Sequence, residues 1–438
     1  PAPTEIYTLS LHDALPIFAY AEGNLGNGGE IGGSASARGD LFNSGFVGAG
    51  AGANGRLENT GTVGGSATSA ESITNSGDIG GSARADSDLE NTGTIGSRDY
   101  GVTVIADHVA NTGTIGNDNA HVAVIADEFD NDEGRLLGNY VDVVAGQVSN
   151  VGGQIQANHT LLVAGRSTVD NTNGSISANG MLAVIDGSDH RTAAEKSLAI
   201  VNTNGHLAAG SRLVIDSASL SFDGTVTSGG DFSSALVGDY DRRTTGDFFQ
   251  AQGNVSLSFT GNVTNDTHWH VAGGLQVTGS QVRNSGDISS NGITLVQATD
   301  GTLSNQGLIH GDQVFTLGVD LDNHGGQITG NSYYAAFSGD ADNTGGRIDI
   351  GGSARISVAG DVNNTAGRID AGTMELRVGG DLVNQTQAAT AADGRYYEWS
   401  SDGLTMGTRS QQASGPRAGI TARSGDMDLE VGGNLYVT

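Results

Sequence analysis

A short phrase built around Asn recurs along the chain and restricts what it can fold into. The phrase reads LENTGTV at 57–63, ITNSGDI at 73–79 and LENTGTI at 89–95, and it continues in looser form to VNNTAGRI at 362–369. Its Asn residues lie 16 residues apart at first, and most later ones lie 18–21 residues apart. Repetition at a short, nearly fixed period is typical of solenoids, in which each repeat packs only against its neighbours.

Between these phrases apolar and polar residues alternate, as in ARISVAGDV at 354–362. Alternation with a period of two indicates β-strands. A repeat of about 20 residues is too short for a βαβ unit, which takes about 30 residues or more. The sequence therefore predicts an all-β fold, a parallel β-helix (solenoid) of roughly 18–20 coils with 16 and then about 20 residues per coil.

The repeated Asn residues have a structural explanation. Asn tolerates left-handed backbone geometry better than most residues, and the Gly that follows it supplies the positive φ of a tight corner. When coils stack at about 4.8 Å, Asn amides can also hydrogen-bond from one coil to the next. We expect such an asparagine ladder at Asn59, Asn75, Asn91, Asn111, Asn131, Asn150, Asn171, Asn284, Asn305, Asn323, Asn343 and Asn364.

The repeat also sets the expected domain organisation. Residues 19–384 are expected to form one continuous rod, with short coils at 19–95 and long coils at 96–384. The longer gap between Asn171 and Asn202 indicates one coil plus an insertion near 186–196. We therefore expect two coil sizes within one rod.

The repeat breaks after Asn384. Residues 385–419 are expected to form a loop outside the helix, and 420–438 a resumed, truncated coil. In the loop Tyr396, Tyr397 and Trp399 lie close together. These aromatics are expected to cover an exposed coil edge; the alternative is a recognition loop, because aromatic side chains favour binding.

Composition excludes several classes of function. The chain has 49 Asp and Glu against 20 Lys and Arg, a formal charge of −29, which disfavours nucleic acid and anionic lipid as partners. No apolar run approaches the roughly 20 residues that a membrane-spanning helix needs, so no membrane insertion is expected. The absence of Cys excludes disulfides and thiolate chemistry, and it suits a chain that crosses an oxidising periplasm unfolded.

Candidates for chemistry are few. Asp107 and Asp127 occupy the same place in VIADHV and VIADEF, where a solvated strand end is a simpler explanation than catalysis. His268 and His270 would share one face of a strand and could ligate a metal, but no third ligand can be chosen. Arg38-Gly39-Asp40 is interpreted as a coil corner. We therefore expect no catalytic, cofactor-binding or metal-binding residues, and no enzyme.

The repeats VDNTNGSISANGMLAVI at 169–185 and ADNTGGRIDIGGSARISVAGDVNNTAGRIDAGTMELRVGGDLVN at 341–384 closely resemble those of filamentous haemagglutinin-type exoproteins. This family uses two-partner secretion and includes large adhesins and the stalks of contact-dependent growth-inhibition toxins. The resemblance covers most of 25–384. It implies a right-handed, single-stranded parallel β-helix, exported through an outer-membrane transporter and secreted or held at the bacterial cell surface.

The resemblance implies a structural stalk or adhesin segment that displays binding or toxin segments to an unknown receptor on a host or neighbouring bacterium. The chain lacks the Asn-Pro-Asn type motif of the family's secretion domain, and no toxin-like globular domain follows the repeats, so we expect an internal fragment of a larger protein. Two alternatives stay open. One is a β-helix enzyme that acts on polysaccharide, and the other is the passenger of an autotransporter.

The first residues do not belong to the repeat. Thr4–Ile17 lack Asn-Gly corners, and Glu5, His12 and Asp13 interrupt the apolar positions that a signal peptide requires. The segment resembles translated sequencing-adapter DNA. Residues 1–18 are therefore expected to be non-native or disordered, with an N-terminal cap strand as the alternative.

Overall fold

The computed structural model describes residues 7–8, 18–98, 100–188, 192, 195–221, 223–242, 249–386 and 418–437. Within these ranges the secondary structure is β-strand and turn, without an α-helix. Parallel strands stack into a β-solenoid of about 18 turns, with coils about 20 residues apart. The predicted fold class is confirmed.

The chain divides into two compact units. Unit 1 comprises residues 1–236 and 248–250, and unit 2 comprises 237–247 and 251–438. A further two-residue strand spans Gln250–Ala251. In both units a coil contains three strands in chain order, which we name the first, second and third strands; the second carries the ladder position.

Unit 1 contains the 16-residue coils and the first of the longer ones. Its first strands are Phe18–Ala21, Ser34–Ala37, Ala51–Ala53, Ala67–Ser69, Ala83–Ala85, Gly101–Ile105, Met181–Asp186, Arg212–Ser217 and Asp231–Leu236. Its second strands are Tyr7–Thr8, Leu25–Asn27, Leu41–Asn43, Leu57–Asn59, Ile73–Asn75, Asp88–Asn91, His108–Asn111, Ala199–Val201 and Ser219–Leu220. Its third strands are Glu30–Ile31, Phe46–Val47, Thr62–Val63, Asp78–Ile79, Thr94–Ile95, Thr114–Gly116, Ser175–Ala178, His206–Ala209 and Thr225–Ser228. Three strands bend through the corners and join these positions: His121–Asp130, Arg135–Ser149 and Gln154–Asp170.

Unit 2 repeats the arrangement with longer coils. Its first strands are Val255–Phe259, Leu275–Gly279, Ile293–Ala298, Ser353–Val358, Thr373–Val378 and Met427–Val431. Its second strands are Tyr240–Arg242, Val263–Asn265, Val282–Asn284, Thr302–Asn305, Asp320–Asp322, Ala341–Asp342, Val362–Asn363, Leu382–Asn384 and Leu435–Val437. Its third strands are His268–Val271, Asp287–Ser290, Arg347–Ile350, Arg368–Ala371 and Gly419–Ala422. Two strands join third and first positions: Leu308–Gly318 and Gln327–Phe337.

The register between coils follows the sequence period. In the short coils Ile73 pairs with Leu89, 16 residues on, whereas Val102 pairs with Val122, 20 residues on. Inward positions of the short first strands hold Ala, such as Ala67, where later coils hold Val. Smaller inward side chains suit the narrower coil because the interior must fill without voids.

The core is a column of apolar side chains from all three strands. In one coil of unit 1, Val104, Val109 and Ile115 represent the first, second and third strands, and each is fully buried at 0% exposure. The alternation of each strand sends the intervening residues outward. No helix in the described part of the chain is long and apolar enough to cross a bilayer.

The last described coil follows a long gap in the described chain. Its strands Gly419–Ala422, Met427–Val431 and Leu435–Val437 pair in parallel with strands of the coil that ends at Asn384. Most of residues 385–419, and most of residues 1–18, lie outside the described residues.

Candidate functional site

The ladder asparagines form two uninterrupted runs of hydrogen bonds. In unit 1 the Nδ2 of each Asn donates to the Oδ1 of the next, from Asn27 to Asn202, over 2.6–2.8 Å. In unit 2 the same bonds run from Asn265 to Asn384, also over 2.6–2.8 Å. All twelve positions named from the sequence lie in these runs and are buried.

The buried amides of the ladder are occupied by hydrogen bonds within the solenoid, as at Asn59. Asn59 Nδ2 donates to Asn75 and also to the backbone oxygen of Asp78, 3.2 Å away in the third strand of the next coil. Its Oδ1 accepts from Asn43. Sequence reasoning missed Asn27, although LGNGGEI at 25–31 carries the same phrase. The ladder holds the coils in register, and it is a scaffold feature.

A second ladder was missed entirely. At the corner before the second strand, Asp340 Oδ1 accepts the backbone N–H of Asp361 at 2.8 Å, and Asp361 Oδ1 accepts that of Asp381 at 2.7 Å. In unit 1 Asp40 accepts the backbone N–H of Arg56 at 2.9 Å in the same way. A Gly-Asp pair directly before several of the second strands, as at 39–40, 339–340, 360–361 and 380–381, was the available signal.

This second ladder accounts for Arg38-Gly39-Asp40. The Asp40 carboxylate accepts the backbone N–H of Arg56 at the corner, and Arg38 forms an ion pair with Glu22 at 2.7 Å. The Gly39 N–H donates to the backbone oxygen of Gly23 in the preceding coil. The tripeptide therefore lies in a coil corner, as its surroundings in the sequence indicate.

At the described ends of segment 186–196, a buried carboxylate and the only Lys in the sequence make hydrogen bonds. Asp186, 6% exposed, accepts hydrogen bonds from Ser188 and from the backbone N–H groups of Ser197 and Leu198. Burial disfavours its charged form, but the Ser188 hydroxyl and these N–H groups outweigh burial and lower the pKa of Asp186 to about 2. Lys196 contacts Asp216 and donates to the backbone oxygen of Ala235.

Asp107 and Asp127 do lie on successive coils of unit 1. The backbone N–H of Asp127 donates to the backbone oxygen of Asp107 at 2.9 Å. Both aspartates line an open concavity of about 310 Å³, together with Arg166 at one end. Its lining also includes the apolar side chains of Ile125 and Val144. The concavity therefore combines charged and apolar side chains.

His268 and His270 share the outward face of a third strand in unit 2, while Trp269 between them is buried. Each His contacts a side chain of the next coil. His268 Nδ1 lies 2.5 Å from Asp287 Oδ2, and His270 Nδ1 lies 3.1 Å from Ser289 Oγ. Among the described residues no group of three or more His, Asp or Glu is placed to hold a metal ion.

Tyr396, Tyr397 and Trp399 lie outside the described residues. Comparison with models of protein families, with curated proteins and with solved structures finds no match to this chain. The likeness to filamentous haemagglutinin-type exoproteins therefore depends on the repeat phrase alone.

Proposed function

We propose that this chain is a structural stalk or adhesin segment of a large secreted bacterial surface protein. The observation that carries the proposal is the pair of buried Asn runs, Asn27 to Asn202 and Asn265 to Asn384. In these runs the side-chain amides of the repeated Asn residues join one coil to the next. A solenoid built in this way can be extended coil by coil, and it offers outward strands for display.

Export and partners follow from the same proposal. The chain would pass an outer-membrane two-partner transporter and then act at the cell surface, toward a receptor on a host or neighbouring bacterium. The absence of Cys supports this route, because nothing in the chain can form a premature disulfide in the periplasm.

Surface location can be tested in the source bacterium with an antibody raised against residues 18–384. Proteinase K added to intact cells should remove the epitope while a periplasmic marker protein survives. An epitope that resists digestion until the cells are lysed would contradict the proposal. A β-barrel encoded in the same reading frame would instead identify an autotransporter passenger.

A polysaccharide-active enzyme is the second candidate, favoured by Asp107 and Asp127 in one concavity. Paired carboxylates are the catalytic groups of most glycoside hydrolases. The purified chain and its Asp107→Asn/Asp127→Asn variant should be incubated with acidic and neutral polysaccharides, and new reducing ends measured. Release by the parent but not by the variant would replace the stalk proposal with the enzyme.

A further inference from the structure

One outward column of unit 1 is apolar where a solenoid surface is expected to be polar. Ile105, Ile125 and Val144 occupy equivalent positions on three successive first-strand segments and point away from the core. Ile125 is 46% exposed and Val144 is 37% exposed. We name these three residues the apolar column. Large aliphatic side chains grouped on a surface mark interaction sites more often than isolated ones do.

The column lines the concavity described above together with Asp107 and Asp127. Arg84 also lines it but lies 3.4 Å from Asp86, so that charge is paired. From Asp86 to Glu133 inclusive the sequence contains eleven Asp and Glu and a single Arg, and Arg166 also lines the concavity. The lining of the concavity contains three Asp against Arg84 and Arg166, so its net charge is negative.

The size and charge of the surface exclude several occupants. Three coils at about 4.8 Å spacing and a width of one or two side chains expose a few hundred Å² at most. A stable dimer needs about 800 Å² from each partner, and a second copy would bring the same acidic flank. Anionic lipid and nucleic acid are repelled for the same electrostatic reason.

We propose that the apolar column and its flanking aspartates bind a cationic amphipathic polypeptide segment. Apolar side chains of the segment would cover Ile105, Ile125 and Val144, and its Lys or Arg would meet Asp107 and Asp127. The spacing suits a helix, because the column repeats about every 4.8 Å and a helical turn rises 5.4 Å. This inference does not depend on the stalk proposal.

The test uses the purified full chain and three fluorescein-labelled 18-residue peptides. The first is a helix-forming Leu/Lys peptide with Leu at i, i+3, i+4 and i+7, the second a scrambled peptide of equal composition, and the third the first with Glu for Lys. Fluorescence anisotropy should show binding of the first peptide that weakens as NaCl rises. The scrambled and Glu peptides should bind at least tenfold more weakly.

Two variants locate the site. Ile125→Ser/Val144→Ser should raise the dissociation constant about tenfold, and Asp107→Asn/Asp127→Asn should raise it and flatten its salt dependence. Ile293→Ser, at a 49% exposed position of a first strand in unit 2, and Asp78→Asn, at an exposed carboxylate, are matched controls that should bind normally. All six substituted side chains are outward, and a cooperative thermal unfolding transition at or above the parent's temperature verifies the fold.

Three results would overturn the proposal. The first is equal binding of the scrambled peptide, which would mean that charge attraction alone holds the peptide. The others are unchanged binding by the Ile125→Ser/Val144→Ser variant and no binding of any peptide at low salt.

Discussion

At the scale of the residue, one buried Asn of the ladder makes hydrogen bonds to the coils on both sides of it. Asn111 is 1% exposed; it accepts from Asn91 at 2.6 Å and donates to Asn131 at 2.7 Å. Truncation would remove one acceptor of the Asn91 amide and the donor to Asn131 Oδ1, which would stay buried. A buried polar group without a partner costs about 1–3 kcal/mol.

We therefore expect Asn111→Ala to lower the free energy of unfolding by about 3 kcal/mol, measured by urea denaturation. Asn119→Ala is the matched control, because Asn119 is exposed and lies in the turn that follows the same coil. The control should change stability by less than about 0.5 kcal/mol. Equal midpoints for the two variants would show that the ladder contributes no stability.

At the scale of the element, the insertion depends on Asp186. In Asp186→Asn, one carboxylate oxygen becomes an NH₂ group, which faces the backbone N–H donors of Ser197 and Leu198 or the Ser188 N–H. Because the folded-state pKa of about 2 lies below the ordinary 3.8, the charged form adds stability. That stability is complete above about pH 4 and is lost as pH falls toward 2.

Asp186→Asn should therefore lower the free energy of unfolding by about 2 kcal/mol at pH 7 and by about half as much at pH 3. Urea midpoints at the two pH values measure this, and amide hydrogen exchange at Leu198 should quicken at pH 7. Asp78→Asn, at an exposed carboxylate, should show neither effect. A pH-independent loss in Asp186→Asn would mean that the carboxylate charge is irrelevant to the anchor.

The strands and corners of the coils could be predicted from the sequence. The repeat phrase was enough to place strands, corners and the Asn ladder, because each coil pairs only with equivalent positions of its neighbours. The apolar column was missed because alternation was used only to find inward residues. Consecutive apolar pairs such as Val124-Ile125 and Val143-Val144 were the signal, because they place one apolar side chain on each face of the strand, the outward face included.

The anchor of the insertion could not be predicted in the same way. Lys196 reaches Asp216 and Ala235, which are 20 and 39 residues away, and neither partner is marked by the repeat phrase. Such contacts depend on how a non-repeating segment folds back on the coils. The carboxylate ladder lies between these cases, since its Gly-Asp signal repeats but is short enough to arise by chance in this composition.

At the scale of the whole molecule, charge opposes the fold. The formal net charge is −29, and stacking places like charges on equivalent positions of successive coils, as at Asp107 and Asp127. Like charges on neighbouring strands destabilise by a few tenths of a kcal/mol per pair. The screening length falls from about 30 Å at 0.01 M salt to about 3 Å at 1 M, so only high salt screens charges one coil apart.

We therefore expect the urea midpoint to rise continuously from 0.01 M to 1 M NaCl, and KCl to act equally, because screening does not depend on the cation. Asp107→Asn/Asp127→Asn should raise the free energy of unfolding at 0.01 M NaCl by about 0.5 kcal/mol. The urea midpoint of this variant should then rise less with added salt than that of the parent. A midpoint that is flat or falls with salt would mean that ion pairs such as Arg38–Glu22, at 2.7 Å, outweigh repulsion between coils. In that case the acidic composition would stabilise the solenoid locally, and the salt response of the Asp107→Asn/Asp127→Asn variant would match that of the parent.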